Sequence, residues 1–191
     1  MTALIILDML EDFFDAGLWP KSEIPAARTR LVENTNALAA TCRAAGMPVL
    51  WFRQEFRADL SDAFPHMRKN GLRYTIAGTP GCELLAELHV TSTDHVLLKS
   101  RFSGFYQTTL EAELQRLDVH SVILAGITTA WCVRCTAADA YQRDLEVMIA
   151  ADCVAAFTGQ AHREAVAAMD GYIATFLSNE ELAMLFDRAK T

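Results

Sequence analysis

Apolar residues along the chain fall into two recurring patterns. Short, nearly continuous apolar runs indicate buried strands, whereas apolar positions at helical spacing indicate one face of a helix. The two patterns alternate along the whole sequence, as a parallel sheet covered by helices on both faces requires. The predicted strands are residues 3–8, 48–52, 95–99, 121–126, 146–151 and 172–177.

The helical pattern is well developed in residues 26–45. Leu31, Leu38 and Cys42 lie at helical spacing there, and Gly46 follows as a natural C-terminal stop. The other predicted helices are residues 109–117, 136–143, 161–169 and 179–189, the last with Asn179 as its N-cap. Together the elements predict an α/β fold, a Rossmann-like three-layer α/β/α sandwich with a six-stranded, mostly parallel sheet, in one domain spanning residues 1–191.

The segment 54–81 interrupts this alternation. It contains Pro65, Pro80 and several glycines among mixed charges, and it is too long for an ordinary crossover. Long loops of this kind usually serve function. We expect the protein to be a homo-oligomer, a dimer or a tetramer, in which a neighbouring subunit closes the site at this loop.

Composition and charge exclude several classes of protein. The chain has 191 residues, of which 52% are hydrophobic and 21% are charged, as in ordinary globular proteins. Its net charge of -7 has the wrong sign for contacting phosphates, so nucleic acid is not an expected partner. No apolar run approaches the roughly 20 residues of a membrane-spanning helix, and acidic residues rather than a cleavage site follow the apolar start. We expect a cytoplasmic protein without a membrane partner, whose five cysteines are mostly reduced.

Three reactive side chains lie at the carboxyl ends of predicted strands. Asp8 ends the first strand, Lys99 ends the third, and the run after the fourth leads to Cys132. Ligands of open parallel sheets bind beyond these ends, where the direction of the connections reverses. Each residue alone is typical of a solvated loop or of core packing. Their joint occurrence indicates one catalytic site, for which we expect the first and third strands to be neighbours in the order 2-1-3-4-5-6.

These three side chains have compatible chemistry. An ordinary thiol has a pKa of about 8.5 and is only slightly ionised at neutral pH. Lys99 and the N-terminus of the helix after Cys132 are expected to lower the pKa of this thiol. Asp8 would accept the thiol proton and pass it to a leaving amine. Gly126 allows a sharp turn, after which the backbone N–H groups of Thr128 and Cys132 face a developing oxyanion.

Three sequence motifs resemble those of a known superfamily and occur in the same order. The first is Leu-Asp-Met-Leu-Glu-Asp-Phe-Phe (7–14), and the second is Gly-Thr-Pro-Gly (78–81) with Leu-Lys-Ser-Arg-Phe-Ser-Gly-Phe-Tyr-Gln-Thr (98–108). The third is Ala-Gly-Ile-Thr-Thr-Ala-Trp-Cys-Val-Arg-Cys-Thr-Ala-Ala-Asp-Ala (125–140). Over nearly its whole length the chain resembles the isochorismatase-like cysteine hydrolases, which include nicotinamidases, N-carbamoylsarcosine amidohydrolases, ureidoacrylate amidohydrolases and isochorismatases.

The resemblance implies a catalytic triad of Asp8, Lys99 and Cys132 on the isochorismatase-like fold. It implies hydrolysis of a C–N bond in a small amide or ureide through an acyl-enzyme on Cys132. Isochorismatases hydrolyse a vinyl ether on the same scaffold, so that reaction is the alternative. The resemblance also implies a non-proline cis peptide between Ile127 and Thr128, which would turn the Thr128 amide towards the substrate carbonyl.

The residues after the second strand bear on a metal site. Nicotinamidases carry an Asp-x-His metal motif there, whereas this chain reads Arg53-Gln54-Glu55. The sequence therefore predicts no metal and no cofactor, and a small molecule as the substrate. The run Thr-Thr-x-x-Cys-Val-Arg (128–134) is more similar to N-carbamoyl amidohydrolases, but it does not identify the substrate.

Five further residues flank the predicted triad. The aromatic residues Phe13, Phe14, Tyr106 and Trp131 either line the substrate pocket or pack in the core. Arg101 either binds a substrate carboxylate through two hydrogen bonds or pairs with an acidic residue of the protein.

Two other classes of protein remain possible interpretations. Cys132 and Cys135 form a C-x-x-C pair at a strand-to-helix junction, as in thioredoxin-like redox proteins. We favour Cys135 as a small residue on the buried helix face, because the rest of the chain lacks the thioredoxin pattern. A structural zinc site is disfavoured because the histidines are scattered. A binding protein that has lost turnover is disfavoured by the presence of Asp8, Lys99 and Cys132.

Overall fold

Six parallel strands form the central sheet of the computed structural model, which describes residues 1–188. The strands are β1 (Thr2–Leu7), β2 (Val49–Gln54), β3 (His95–Lys99), β4 (Ser121–Ile127), β5 (Glu146–Ala155) and β6 (Thr175–Leu177). The helices are α1 (Arg28–Ala44), α2 (Pro65–Asn70), α3 (Leu110–Arg116), α4 (Arg134–Tyr141), α5 (Gly159–Met169) and α6 (Asn179–Arg188). Every predicted strand and helix is confirmed with small shifts at its ends, and the predicted last residue of α6, 189, lies outside the described residues.

The strand order in the sheet is β3-β2-β1-β4-β5-β6, with every pairing parallel. The predicted order 2-1-3-4-5-6 is wrong, because β3 pairs with the outer side of β2 and β1 pairs with β4. The first three strands therefore extend to one side of the sheet and the last three to the other. The connections reverse direction between β1 and β4, and open α/β sheets bind ligands at such a point.

Alternate residues of β1 face two separate hydrophobic cores. Leu4 and Ile6 pack in the core that contains α1 and α6, whereas Ile5 and Leu7 pack in the core that contains α3, α4 and α5. The period of two along a strand produces this division, and burial on both faces explains the continuous apolar run. The predicted three-layer sandwich is confirmed. No helix within residues 1–188 combines the length and the apolar character needed to span a bilayer.

The segment 54–81 contains more regular structure than its composition predicts. Its helix α2 begins with Pro65 in the first turn and ends at Gly71, which has a left-handed φ of 63°. Proline at the start and a left-handed glycine at the end are common helix boundaries. A bridge between Phe56 and Ile76 joins the two sides of the segment. The segment 54–81 is therefore an ordered part of the fold that follows β2.

Candidate active site

The turn after β4 places the nucleophile candidate at the point where the connections reverse. Gly126 has a φ of +99°, and a Cβ atom on it would lie 2.0 Å from the Leu7 carbonyl oxygen, so only glycine fits beside β1. The peptide bond between Ile127 and Thr128 is cis, which confirms the prediction. A π-helical turn over Thr129–Val133 follows and contains Cys132, and α4 begins directly after it.

Buried hydrogen bonds hold this turn in place. The Thr136 hydroxyl donates to the Cys132 carbonyl oxygen over 2.7 Å and accepts from the Gly104 amide over 2.9 Å. The Thr128 carbonyl oxygen accepts from the amides of Trp131 and Val133. The turn is thereby fixed to α4 and to the loop that follows β3.

Asp8, Lys99 and Cys132 meet at the carboxyl end of the sheet. Lys99 Nζ lies 2.6 Å from Asp8 Oδ2 and 3.5 Å from Cys132 Sγ, well within the roughly 6 Å over which charges shift each other's pKa. Lys99 Nζ also donates to the Arg101 carbonyl oxygen over 3.0 Å. The side chains of Asp8 and Lys99 are fully buried.

Lys99 reaches this position from a strand that does not neighbour β1. Its Cα is paired with Gln54 at the end of β2, and β2 separates β3 from β1. Two interstrand spacings amount to about 10 Å, a distance that a lysine and an aspartate side chain can span together across the strand end. A shared sheet edge was therefore sufficient, and adjacency of the two strands was not needed.

Burial dominates the electrostatics of the three groups. Desolvation raises the pKa of Asp8 above its ordinary value in spite of the Lys99 charge. Burial opposes the charged form of Lys99, but the charges of Asp8 and Cys132 outweigh it and raise the pKa of the amine. The pair is therefore a lysinium beside a carboxylate that accepts a proton more readily than an exposed one.

The pKa of Cys132 is raised rather than lowered. Burial is the largest cause and the charge of Asp8 adds to it, while Lys99 opposes the shift only in part. The predicted lowering by Lys99 and a helix N-terminus is wrong, because it neglected desolvation of the thiolate. The resting side chain is a neutral thiol next to a carboxylate, so proton transfer must accompany its use as a nucleophile.

A cavity of about 400 Å³ opens beside Cys132, a volume suited to a small-molecule ligand. Its walls are mostly aromatic. The aromatic side chains that line it are Phe13, Trp19, Tyr74, Phe102, Trp131 and Phe157.

Two buried polar atoms at this cavity have no hydrogen-bond partner among the described residues. They are Gln54 Nε2 and Thr128 Oγ1. The exposed fractions of these two residues are only 2% and 5%. Buried polar groups are nearly always satisfied, so both point to a polar ligand group near Cys132.

The five residues predicted to flank the triad divide into two groups. Phe13 and Trp131 line the cavity. Phe14 is instead buried beneath the Arg28 guanidinium. Tyr106 lines a separate groove beside the cavity, called the neighbouring groove below, and half of its surface is exposed.

Arg101 also lies outside the cavity lining. Its guanidinium donates to the backbone carbonyl oxygens of Asp62 and Ser100 and faces the neighbouring groove. Neither predicted role, binding a substrate carboxylate or pairing with an acidic side chain, matches this placement. Arg101 contacts the triad through its main chain, because its carbonyl oxygen accepts a hydrogen bond from Lys99 Nζ.

The prediction from sequence missed most of the lining. Trp19 comes from the loop after β1, His66 and Tyr74 from the segment 54–81, and Phe157 from the loop after β5. No motif marks these positions. The unusual length of the segment 54–81 was the one available signal, and it indicated a functional loop without identifying the residues.

The position of the missing metal motif is occupied by a salt bridge. Arg53 pairs with Glu55 over 2.8 Å and with Glu83 over 2.8 Å. Among residues 1–188, no group of three or more His, Cys, Asp or Glu side chains is arranged to hold a metal ion. The residues present therefore do not form a metal site of the nicotinamidase type.

Cys135 is half-buried and faces the neighbouring groove, so its predicted place on the buried helix face is wrong. The buried face of α4 consists instead of Thr136, Ala137 and Ala140. Both Cys132 and Cys135 are free thiols, and burial raises the pKa of each. A redox dithiol normally contains a thiol of lowered pKa, so this pair does not resemble one.

Comparisons with known proteins agree with this architecture. The Isochorismatase domain model matches residues 2–181. The chain is 28% identical over 181 residues to the uncharacterized isochorismatase family protein YecD of Escherichia coli O157:H7, covering 95% of this chain and 94% of that protein. The crystal structure of an isochorismatase family protein from Desulfovibrio vulgaris superposes with a TM-score of 0.86 at 31% identity, covering 98% of both chains.

The chain is also similar to a solved structure of an enzyme with a named activity. The N-carbamoylsarcosine amidase from Thermoplasma acidophilum superposes with a TM-score of 0.78 at 29% identity, covering 94% of this chain and 97% of that one. The family model spans Asp8, Lys99 and Cys132 and nearly all of the sheet that brings them together. The chain belongs to the isochorismatase family.

Proposed function

We propose that this protein is a cysteine hydrolase that cleaves a C–N bond of a small amide or ureide. The observation that carries the proposal is the contact of Cys132 Sγ with Lys99 Nζ at 3.5 Å, with Asp8 Oδ2 2.6 Å from the same amine, at the wall of a ligand-sized cavity. A nucleophile, a proton acceptor and a cation at one cavity wall are the parts that acyl transfer requires.

Asp8 acts as the general base in this proposal. Its carboxylate takes the thiol proton as Cys132 Sγ attacks the substrate carbonyl carbon, forming a tetrahedral intermediate. Collapse of the intermediate breaks the C–N bond, and the protonated Asp8 returns the proton to the leaving nitrogen. Its raised pKa suits a group that must hold a proton between these two steps. Attack of water on the resulting thioester, with Asp8 again as base, releases the acid and restores the thiol.

Lys99 and two backbone amides stabilise the charges that develop. The lysinium lies 3.5 Å from Cys132 Sγ and counters the thiolate as it forms. The amides of Thr128 and Cys132 are our proposed oxyanion hole, since both residues line the cavity and the turn between them is fixed by hydrogen bonds. Removing one such donor typically costs 100- to 1000-fold in rate.

The unpartnered atoms favour an amide or ureide as the reacting group. Gln54 Nε2 offers a hydrogen-bond donor, and Thr128 Oγ1 can accept or donate. An amide or ureide presents a carbonyl acceptor and N–H donors side by side, so it can satisfy both. Similarity to an N-carbamoylsarcosine amidase supports a ureide as the reacting group.

The proposal is tested by screening small amides and ureides for release of ammonia or amine. We expect turnover by the native protein and none by Cys132→Ala. Mass spectrometry of enzyme quenched during turnover should find the acyl group of the substrate on the Cys132 peptide. Activity that survives in Cys132→Ala would contradict the proposal, as would turnover of vinyl ethers but of no amide or ureide.

A further inference from the structure

Within residues 1–188, the walls of the cavity carry no permanently charged side chain apart from the triad. Among the described residues that line it, none is Lys, Arg, Asp or Glu. The Lys99 charge is already paired with Asp8, and the nearby Arg101 guanidinium donates to backbone carbonyls outside the lining. A carboxylate on the substrate would lose its hydration here without gaining a permanent cation, which is costly.

One polar contact joins two side chains of the aromatic wall. The hydroxyl of Tyr74 lies 3.1 Å from Nε2 of His66, and both residues line the cavity. Both come from the segment 54–81, and not from the strand ends that carry the triad. The proposed reaction uses neither of them.

Aromatic packing holds the Tyr74 ring in place. Its centroid lies 5.1 Å from that of Trp19, 6.0 Å from Phe13 and 6.4 Å from Phe56. The His66 ring stacks on Phe64 at 5.7 Å with an interplanar angle of 18°. The hydroxyl is therefore presented at a fixed position, which reduces the entropy lost when a ligand binds to it.

We propose that the Tyr74 hydroxyl, positioned by His66, is a specificity-determining group that hydrogen-bonds an uncharged polar atom on the part of the substrate remote from the scissile bond. The part of the substrate that carries this polar atom is flat and apolar, as the aromatic walls of the cavity require. The substrate class is thus an uncharged, hydroxyl- or heteroatom-bearing aromatic amide or ureide rather than an anionic one. This inference rests on the proposed function for the place of the reacting group.

The hydroxyl has the capacity for this second bond. A phenol both donates and accepts, so one of its bonds can go to His66 and another to the ligand. Burial, the largest cause, raises the pKa of Tyr74 to about 12, so the group is a neutral phenol at physiological pH. A neutral phenol cannot counter a substrate carboxylate as a cation would.

Binding to the Cys132→Ala variant provides the test, because it does not depend on turnover. The probes are benzamide and phenylurea, their meta- and para-hydroxy derivatives, and their meta- and para-carboxylate derivatives, with Kd measured by calorimetry. We expect one hydroxy isomer to bind about tenfold more tightly than its parent, as one neutral hydrogen bond allows. Both carboxylates should bind more weakly than the parent.

Adding Tyr74→Phe to the Cys132→Ala variant should bring the ratio of the Kd of the parent to the Kd of the hydroxy isomer close to one. The ring is kept, so a loss of packing would weaken parent and derivative alike and leave the ratio unchanged. Tyr172→Phe, at a tyrosine that is 77% exposed and outside the cavity lining, is the matched control and should leave the ratio at its original value. A hydroxy preference that survives Tyr74→Phe, the lack of any preference, or carboxylates that bind as well as the parent would each overturn the proposal.

His66 is tested as a positioning residue through the same ratio. His66→Leu should lower the hydroxy preference as Tyr74→Phe does, and His66→Gln, which keeps a hydrogen-bonding amide, should restore part of it. The double variant with Tyr74→Phe should lose no more than the single one, since the two residues act as a unit. Fully additive losses would contradict the pairing. If the native protein hydrolyses no amide or ureide in the turnover screen, the proposed function fails, whereas these binding ratios still decide the role of Tyr74.

Discussion

Two ion pairs in this molecule, one fully and one partly buried, show how the surroundings of a carboxylate decide its chemical behaviour. Lys99 and Asp8 meet at 2.6 Å at the carboxyl end of the sheet, and Arg43 and Asp94 meet at 2.5 Å between α1 and the start of β3. The side chains of Asp8 and Lys99 are both 0% exposed, whereas Asp94, 2% exposed at its side chain, lies nearer the surface beside an Arg43 side chain that is 21% exposed. The pKa of the first is raised and that of the second is lowered.

The Asp94 carboxylate is saturated with hydrogen bonds. It accepts from the Arg43 guanidinium, from the Trp51 indole at 2.9 Å, and from the amide and hydroxyl of Thr91 at 3.0 Å each. Burial alone would raise the pKa of Asp94, but these bonds outweigh it and lower the value to about 2. A carboxylate with this many donors is held as an anion.

The Asp8 carboxylate has fewer donors around it. They are the Lys99 amine at 2.6 Å, the Cys132 thiol and the backbone of Gln54. Burial therefore prevails over the attraction of Lys99 and raises its pKa. The comparison shows that deeper burial together with fewer donors, rather than the absence of a cation, distinguishes a carboxylate that can accept a proton from one that holds the fold.

Exchanging each carboxylate for an amide should separate the two roles, with the largest effect at Asp8. Asp8→Asn removes the proposed proton acceptor, so we expect kcat/KM on an identified substrate to fall by roughly 1000-fold or more. Lys99→Met should cause a loss of similar size. Steady-state kinetics on folded protein, verified by circular dichroism, measure the effect. Asp94→Asn is the matched control, and a loss at Asp8 no larger than at Asp94 would refute the assignment.

Replacing Asp94 by asparagine should lower the stability of the protein rather than its activity. Asp94→Asn leaves Arg43 without its charged partner and weakens three other hydrogen bonds, so we expect a loss of about 2 to 3 kcal/mol in the free energy of unfolding. Denaturant unfolding measures this loss. Activity at room temperature should stay within a few-fold of the native value. An unchanged midpoint of unfolding would show that the ion pair of Arg43 and Asp94 makes no net contribution to the free energy of unfolding.

Acidification should affect the two carboxylates in a fixed order. The raised pKa of Asp8 means that the general base is protonated first, so kcat/KM should fall at a pH above that of an ordinary carboxyl group. The lowered pKa of Asp94 means that its contribution to stability is complete above its ordinary value of 3.8 and is lost only as the pH falls towards 2. A pH profile of kcat/KM, together with unfolding measured across the same range, tests this order. Unfolding that precedes the loss of activity would contradict it.

The smallest effect is expected at Cys135. Cys135→Ser should keep hydrolysis within about tenfold of the native rate, because this thiol lies in the neighbouring groove and not in the cavity lining. Activity should likewise survive dialysis against a chelator, given the salt bridges of Arg53 at the missing metal motif. A reversible disulfide between Cys132 and Cys135 with reductase activity would favour a redox protein instead.

Local patterns in the sequence determined the elements and the identity of the reactive residues. Periods of two and of three to four report which face of a segment is buried, so β1, β3 and α1 are found close to their predicted bounds. Strand ends are local too, and parallel strands share one edge. Asp8, Lys99 and Cys132 could therefore be assigned to one site without knowing the order of the strands.

Only the tertiary structure decided the arrangement and the electrostatics of that site. Strand order depends on which surfaces pack, and the side-chain pattern of β3 is compatible with a place beside β1 or beside β2. The sign of the pKa shift of Cys132 depends on desolvation by groups distant in sequence, which no local motif reports. The same holds for the cavity, because Trp19, Tyr74 and Phe157 come from three separate loops that meet only after the sheet has formed.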